Sequence, residues 1–105
     1  MSIAVKNKLK KALQMSGNDN VAIALSDLQQ GEKISVLTSS DRAEVRVITA
    51  NDDISFGHKI ALENIASDTK VVKYSYKIGL AIKMIHEGDH VHVHNIVSQY
   101  LHEKE

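Results

Sequence analysis

The chain has 105 residues, with 13 basic and 13 acidic side chains, no cysteine and no proline. That length suits one compact domain, and the even charge argues against steering toward nucleic acid or an anionic membrane. The lack of cysteine excludes disulfides and thiolate chemistry, and no apolar run approaches bilayer-crossing length.

No long apolar stretch follows the N-terminal lysines, so the expected location is cytoplasmic. Aromatic residues make up only 4% of the chain, which leaves Val, Ile, Leu and Ala to build the core and favours strands. Residues 1–9 read as an N-terminal arm or short helix, with Val5, Leu9 and Ala12 at helical spacing. Lys10 to Met15 reads as a strand, Ser16 to Asn20 as a turn and Val21 to Leu25 as an apolar strand. Gln30-Gly31-Glu32 is a tight turn before the alternating run Lys33 to Leu37, and Thr38 to Arg42 is a polar loop. Glu44 to Thr49 alternates again, with Val45 and Val47 expected inward and Glu44 and Arg46 outward. Residues 10–97 form the expected domain and 98–105 a charged C-terminal tail.

The second half repeats itself. Ile60-Ala61-Leu62 aligns with Leu80-Ala81-Ile82, Ile65 with Ile85, Asp68 with Gly88 and Val71 with Val91. A fainter copy runs Ala24-Leu25, Leu28, Gly31, Ile34. The pattern predicts a helical turn, a tight turn with a left-handed residue, then a strand. Gly31 and Gly88 meet the left-handed requirement without steric cost, and Asp68 meets it at a modest one. The alignment also puts Lys73 in register with Val93, a position from which a lysine must find a partner or reach solvent, with the strand expected to end at Val72.

The hexapeptide His90-Val91-His92-Val93-His94-Asn95 carries the densest chemistry. As a strand it places His90, His92 and His94 on one face and Val91 and Val93 on the core side. Three imidazoles on a surface suit metal binding, carboxylate binding or proton transfer. A cupin-type site needs a glutamate shortly after the His-x-His pair, and Ile96, Val97, Ser98 and Gln99 follow instead. No acidic cluster is placed to complete a metal shell, so the missing ligands are expected from another chain. Phe56-Gly57-His58-Lys59 is the second candidate, offering a base beside a cation.

Asp19 to Leu25, Gly57 to Leu62, Val72-Lys73-Tyr74, Ile78-Gly79 and His90 to Asn95, taken in this order, resemble the N-terminal domain of the altronate and galactarate dehydratase family, found also as the small subunit of sulfolactate sulfo-lyase. The resemblance runs from about Lys10 to Asn95. It implies a mainly β, SAF-type β-clip fold with short helical turns. It also implies a small subunit or stand-alone domain of a dehydratase-type carbon–oxygen or carbon–sulfur lyase, inactive without a large catalytic subunit and acting on sugar acids or related hydroxy acids. On that basis His58, His92 and His94 are catalytic candidates, and Lys59, Lys73, Tyr74 and Asn95 substrate-binding candidates. His92 and His94 are the candidate ligands of a divalent metal (iron, manganese or magnesium) completed by the partner chain. A homo-oligomer is also open; nucleic-acid and membrane partners are not expected. Ser75 and Asp68 stand where the family usually has glycine, and Tyr76-Lys77 where many members carry proline, which points to a different turn before Ile78. The alternative is a non-catalytic β-clip module that binds a small acid or a protein.

Overall fold

Short β-branched runs separated by turn residues fold as nine short strands in the computed structural model, which describes residues 9–98. The expected arm and tail lie almost wholly outside those residues. In chain order the strands are β1 (Lys10–Gln14), β2 (Val21–Ala24), β3 (Lys33–Thr38), β4 (Glu44–Thr49), β5 (Lys59–Ala61), β6 (Lys70–Lys73), β7 (Tyr76–Ala81), β8 (His90–Val91) and β9 (Ile96–Val97). One sheet has the order β4-β3-β1-β2-β5-β8 and the other β6-β7-β9. Among the described strands only β1 and β3 pair in parallel, with Ala12 opposite Val36; the other neighbours are antiparallel.

The repeat is the organising unit, and it has a fourth copy. Ala50, Ile54, Gly57 and Ile60 have the spacing of Ala24, Leu28, Gly31 and Ile34, of Ala61, Ile65, Asp68 and Val71, and of Ala81, Ile85, Gly88 and Val91. Gly31, Gly57, Asp68 and Gly88 all have positive φ, at 92°, 85°, 70° and 93°. The copies pair as two clips. Leu28 and Ile54 exchange backbone hydrogen bonds of 2.7 and 2.9 Å, while Gly31 N–H donates to the Ala50 carbonyl and Gly57 N–H to that of Ala24. Ile65 and Ile85 exchange bonds of 2.8 Å, while Asp68 N–H donates to Ala81 and Gly88 N–H to Ala61. Each clip buries its own core: Ala24, Leu28, Ile34, Ala50, Ile54 and Ile60 in one, Ala61, Ile65, Val71, Ala81, Ile85 and Val91 in the other.

The mainly β, clip-like fold is therefore as expected, but the helical turns are not. No helix occurs among the described residues. Each stretch expected to be helical is a bend around a single β-bridge, because its backbone groups are satisfied by the paired copy rather than by the preceding turn.

The valines of β4 do not face inward as expected. Ile48 is the buried residue of the strand, opposite Ile34, while Val45 and Val47 are 49% and 43% exposed and Glu44 and Arg46 are exposed as expected. Arg46 lies opposite Val36, donates to the Leu62 carbonyl and stands 3.8 Å from a Glu87 carboxylate oxygen. The guanidinium has partners on that side, and β4 is an edge strand with a bulge opposite Val36/Leu37, so the valines are left facing outward. β6 also runs one residue further than expected, through a half-buried Lys73.

Candidate functional site

Antiparallel pairing of β5 with β8 brings the histidines together. Lys59 lies opposite Val91 and Ile60 opposite His90, so one step further along the register His58 meets His92. Gly57, the left-handed residue of its clip, turns the chain into β5 at this point. The rings of His58 and His92 stack with centroids 4.2 Å apart, and His90 stacks within 5.4 Å of both. His58 Nδ1 and His90 Nε2 are 2.9 Å apart, one donating and the other accepting. The ligating nitrogens of His58, His90 and His92 all lie within 4.8 Å of one another.

The hexapeptide does not stay extended, which corrects the three-on-one-face strand. Only His90 and Val91 are strand; the chain then turns through His92 to Asn95. The cause is local. Asn95 is buried, its Oδ1 accepts from His92 N–H at 2.9 Å, and its Nδ2 donates to the His90 carbonyl at 2.8 Å. This side-chain clasp competes with the ladder and folds the segment back. Val93, expected in the core, sits at the tip and is 78% exposed. Val91 is fully buried, as expected. The turn still returns His94 to within 5.2 Å of the His90 ring, tilted by 38° and outside the converging trio.

The electrostatics favour neutral imidazoles. Partial burial, then the neighbouring His94, His58 and His92, hold His90 below the ordinary imidazole range, against a smaller opposing pull from Asp52. His92 is lowered too, by desolvation first and then by His58, Lys59 and His94. Lys59 is half-buried, and its ammonium is held below the usual lysine range by that burial and by Lys73. Neutral imidazoles offer lone pairs, which is the state a metal ion requires. Ring nitrogens on one tetrahedral ion stand about 3.3 Å apart, so side-chain rotation has to draw the trio in by up to about 1.5 Å.

A second constellation flanks the first. Tyr74 and Ser75 link β6 to β7 with φ of 59° and 67°, both left-handed, as the central residues of a two-residue hairpin turn. Non-glycine residues there cost about 1–3 kcal/mol each. The Asp19 carboxylate, only 6% exposed, offsets that cost: Oδ2 accepts from Tyr74 N–H at 2.7 Å and Oδ1 from Ser75 N–H at 2.8 Å. Such charge-assisted bonds are worth about 1.5–3 kcal/mol apiece. Asn20 completes the attachment, accepting from Val72 N–H and donating to the Lys70 carbonyl.

Of the residues singled out from sequence, His58 and His92 come together beside Lys59, and Lys73 and Tyr74 form the neighbouring turn. His94 borders the cluster, and Asn95 holds its backbone. His90, which carries no site role in the sequence, is a full member of the trio, since β8 sets it opposite Ile60 and beside His58. In the sequence Asp19 is only part of the Ser16 to Asn20 turn, because the turn amides of Tyr74 and Ser75 that its carboxylate holds lie more than 50 residues away in the chain.

A family model described as the altronate/galactarate dehydratase SAF domain matches residues 10–99. Altronate dehydratase of Bacillus subtilis is 40% identical over 87 residues, 83% of this chain and 16% of that protein. Altronate dehydratase of Escherichia coli is 43% identical over 77 residues, 73% of this chain and 14% of that protein. The alpha subunit of (2R)-sulfolactate sulfo-lyase from Paracoccus pantotrophus is 39% identical over 59 residues, 56% of this chain and 87% of that subunit. The match thus spans nearly all of the lyase subunit but a small fraction of either dehydratase.

Proposed function

The chain belongs to the altronate/galactarate dehydratase SAF domain family, and from that premise we propose that it is the small subunit or small domain of a dehydratase-type lyase. The reading is that it lends imidazole and ammonium groups to a site shared with a large catalytic chain in the cytoplasm. The substrate is a sugar acid or a related hydroxy acid. The observation that carries the reading is the convergence of His58, His90 and His92 beside Lys59, from segments some 30 residues apart.

In this reading Lys59 and Lys73 pair with the substrate carboxylate, Tyr74 contacts the substrate, and Asn95 holds the His92 turn in place. His94, which borders the trio without joining it, takes the proton from the carbon α to the carboxylate. The electron pair of that C–H bond becomes the new carbon–carbon double bond, and the β carbon–oxygen bond breaks. His94 returns its proton to the departing hydroxide so that water leaves; in a sulfo-lyase the carbon–sulfur bond breaks and sulfite leaves. His58, His90 and His92 would hold the divalent metal, whose chemistry is Lewis-acid stabilisation of charge developing on the carboxylate. An all-imidazole donor set suits iron better than magnesium, which prefers oxygen.

Co-purification with a large dehydratase chain, followed by turnover of altronate and of sulfolactate, tests the reading. His58→Ala and His92→Ala are expected to lower both metal content and turnover in the complex. Unchanged values for both would remove these residues from the site.

A further inference from the structure

The Lys73–Ser75 turn is held from outside its own hairpin. The two-residue hairpin between β6 and β7 calls for positive φ at both central residues, a conformation that tyrosine and serine rarely take unaided. The support comes from the β1–β2 connection, where Asp19 presents both carboxylate oxygens to the turn amides. Asp19 Oδ2 also accepts from Ser16 N–H at 3.1 Å, which fixes the carboxylate from its own side. The Ser16 and Ser75 hydroxyls bond to each other across the same gap. Asn20, next in sequence, ties Val72 to the end of β2, and β2 pairs with β5 through Ile23 opposite Lys59. One short segment thereby links the turn bearing Lys73 to the strand bearing Lys59.

Building on the acid-binding reading above, we propose that Asp19 is a positioning residue. Its buried carboxylate keeps the Lys73-Tyr74-Ser75 turn left-handed, which holds Lys73 where it and Lys59 can grip one acid together. Asp19 does not touch the ligand. It acts by keeping the binding-competent turn populated. Without it, Tyr74 and Ser75 relax toward ordinary backbone angles and carry Lys73 away.

The test uses the full chain, wild type beside Asp19→Ala, Asp19→Asn and the double variant Asp19→Ala/Ser75→Gly. Altronate and sulfolactate are titrated separately, following the Lys59 and Lys73 side-chain resonances, with a thermal melt for each protein. Asp19→Ala is expected to weaken acid binding about tenfold, as a turn competent about a tenth of the time requires. Asp19→Asn should fall between, since the amide keeps one acceptor oxygen. Ser75→Gly should restore most of the lost affinity, because glycine takes positive φ without help. Should Asp19→Ala fail to fold, Asp19→Asn and the double variant carry the comparison. Wild-type affinity in the Asp19 variants, or a loss that Ser75→Gly leaves unrepaired, overturns the positioning role while the site reading stands. A wild-type chain that binds neither acid, alone or together with the large chain, overturns the site reading and this inference with it.

Discussion

Replacing Asn95 by alanine should loosen the turn on which the imidazole cluster is built. The side chain makes two hydrogen bonds, one from His92 N–H and one to the His90 carbonyl, and alanine makes neither. Each orphaned group costs about 1–3 kcal/mol, and the low end applies because the turn is only partly buried, which puts Asn95→Ala near 2 kcal/mol. In a domain of this size that is a fall in Tm of roughly 8–16 °C. Asn95→Asp keeps the acceptor for His92 N–H but turns a carboxylate oxygen toward the His90 carbonyl. It loses the second bond and adds repulsion, so it should be no better than alanine at neutral pH despite its shape. Urea unfolding of the three proteins measures the ordering, and the chemical shifts of the His92 ring report whether it has left the stack. An alanine variant within about 0.5 kcal/mol of wild type, the range of an ordinary surface change, would refute the argument that this clasp builds the turn.

The repeated clips invite a controlled comparison. Gly31 and Gly88 share a φ near 92°, but a Cβ on Gly31 meets nothing within 4 Å, whereas one on Gly88 falls 2.2 Å from the Thr49 carbonyl oxygen. Gly31→Ala should therefore cost about 1–2 kcal/mol from backbone conformation alone, and Gly88→Ala about 1–3 kcal/mol more from the clash, read by thermal melts. Equal losses would mean that the second clip is not packed as described. Acid should destabilise the fold through the histidines. His90 and His92 are held below the ordinary imidazole range, so under about pH 6.5 the unfolded chain binds more protons than the folded one. The stability they contribute is present above that pH and lost as pH falls through their folded values. Urea titrations at pH 7.5 and 5.5 should show a drop that is smaller in His90→Asn.

Much of this fold is written in short-range pattern. The left-handed positions at Gly31, Asp68 and Gly88 follow from the spacing of alanine, isoleucine and valine around them, and the buried alanines follow from the same spacing. The fourth copy escaped because its apolar markers Ala50 and Ile54 are set among Asn51, Asp52 and Asp53, residues that read as a plain loop. Their side chains serve other copies instead: Asp53 accepts from Gln30 N–H in the paired copy, and Asn51 donates to the Glu87 carbonyl in the other clip. Strand alternation misled at β4, where Val45 and Val47 looked like the inward pair. Alternation gives the period but not which face is buried, and Arg46 had partners only the fold could supply. The hexapeptide failed as a strand for a reason that was local, the Asn95 bond to the amide three residues before it. The meeting of His58 with His90 and His92 was not local. It depends on the pairing of β5 with β8, which no single stretch of sequence displays.

Titrating the full chain with Zn²⁺ while following all the imidazole nitrogens decides whether the trio is a metal site. His58, His90 and His92 are expected to respond together at one stoichiometric ion, with His86 left unchanged. Independent, weak responses spread over the exposed histidines, with the stacked trio silent, would contradict that expectation.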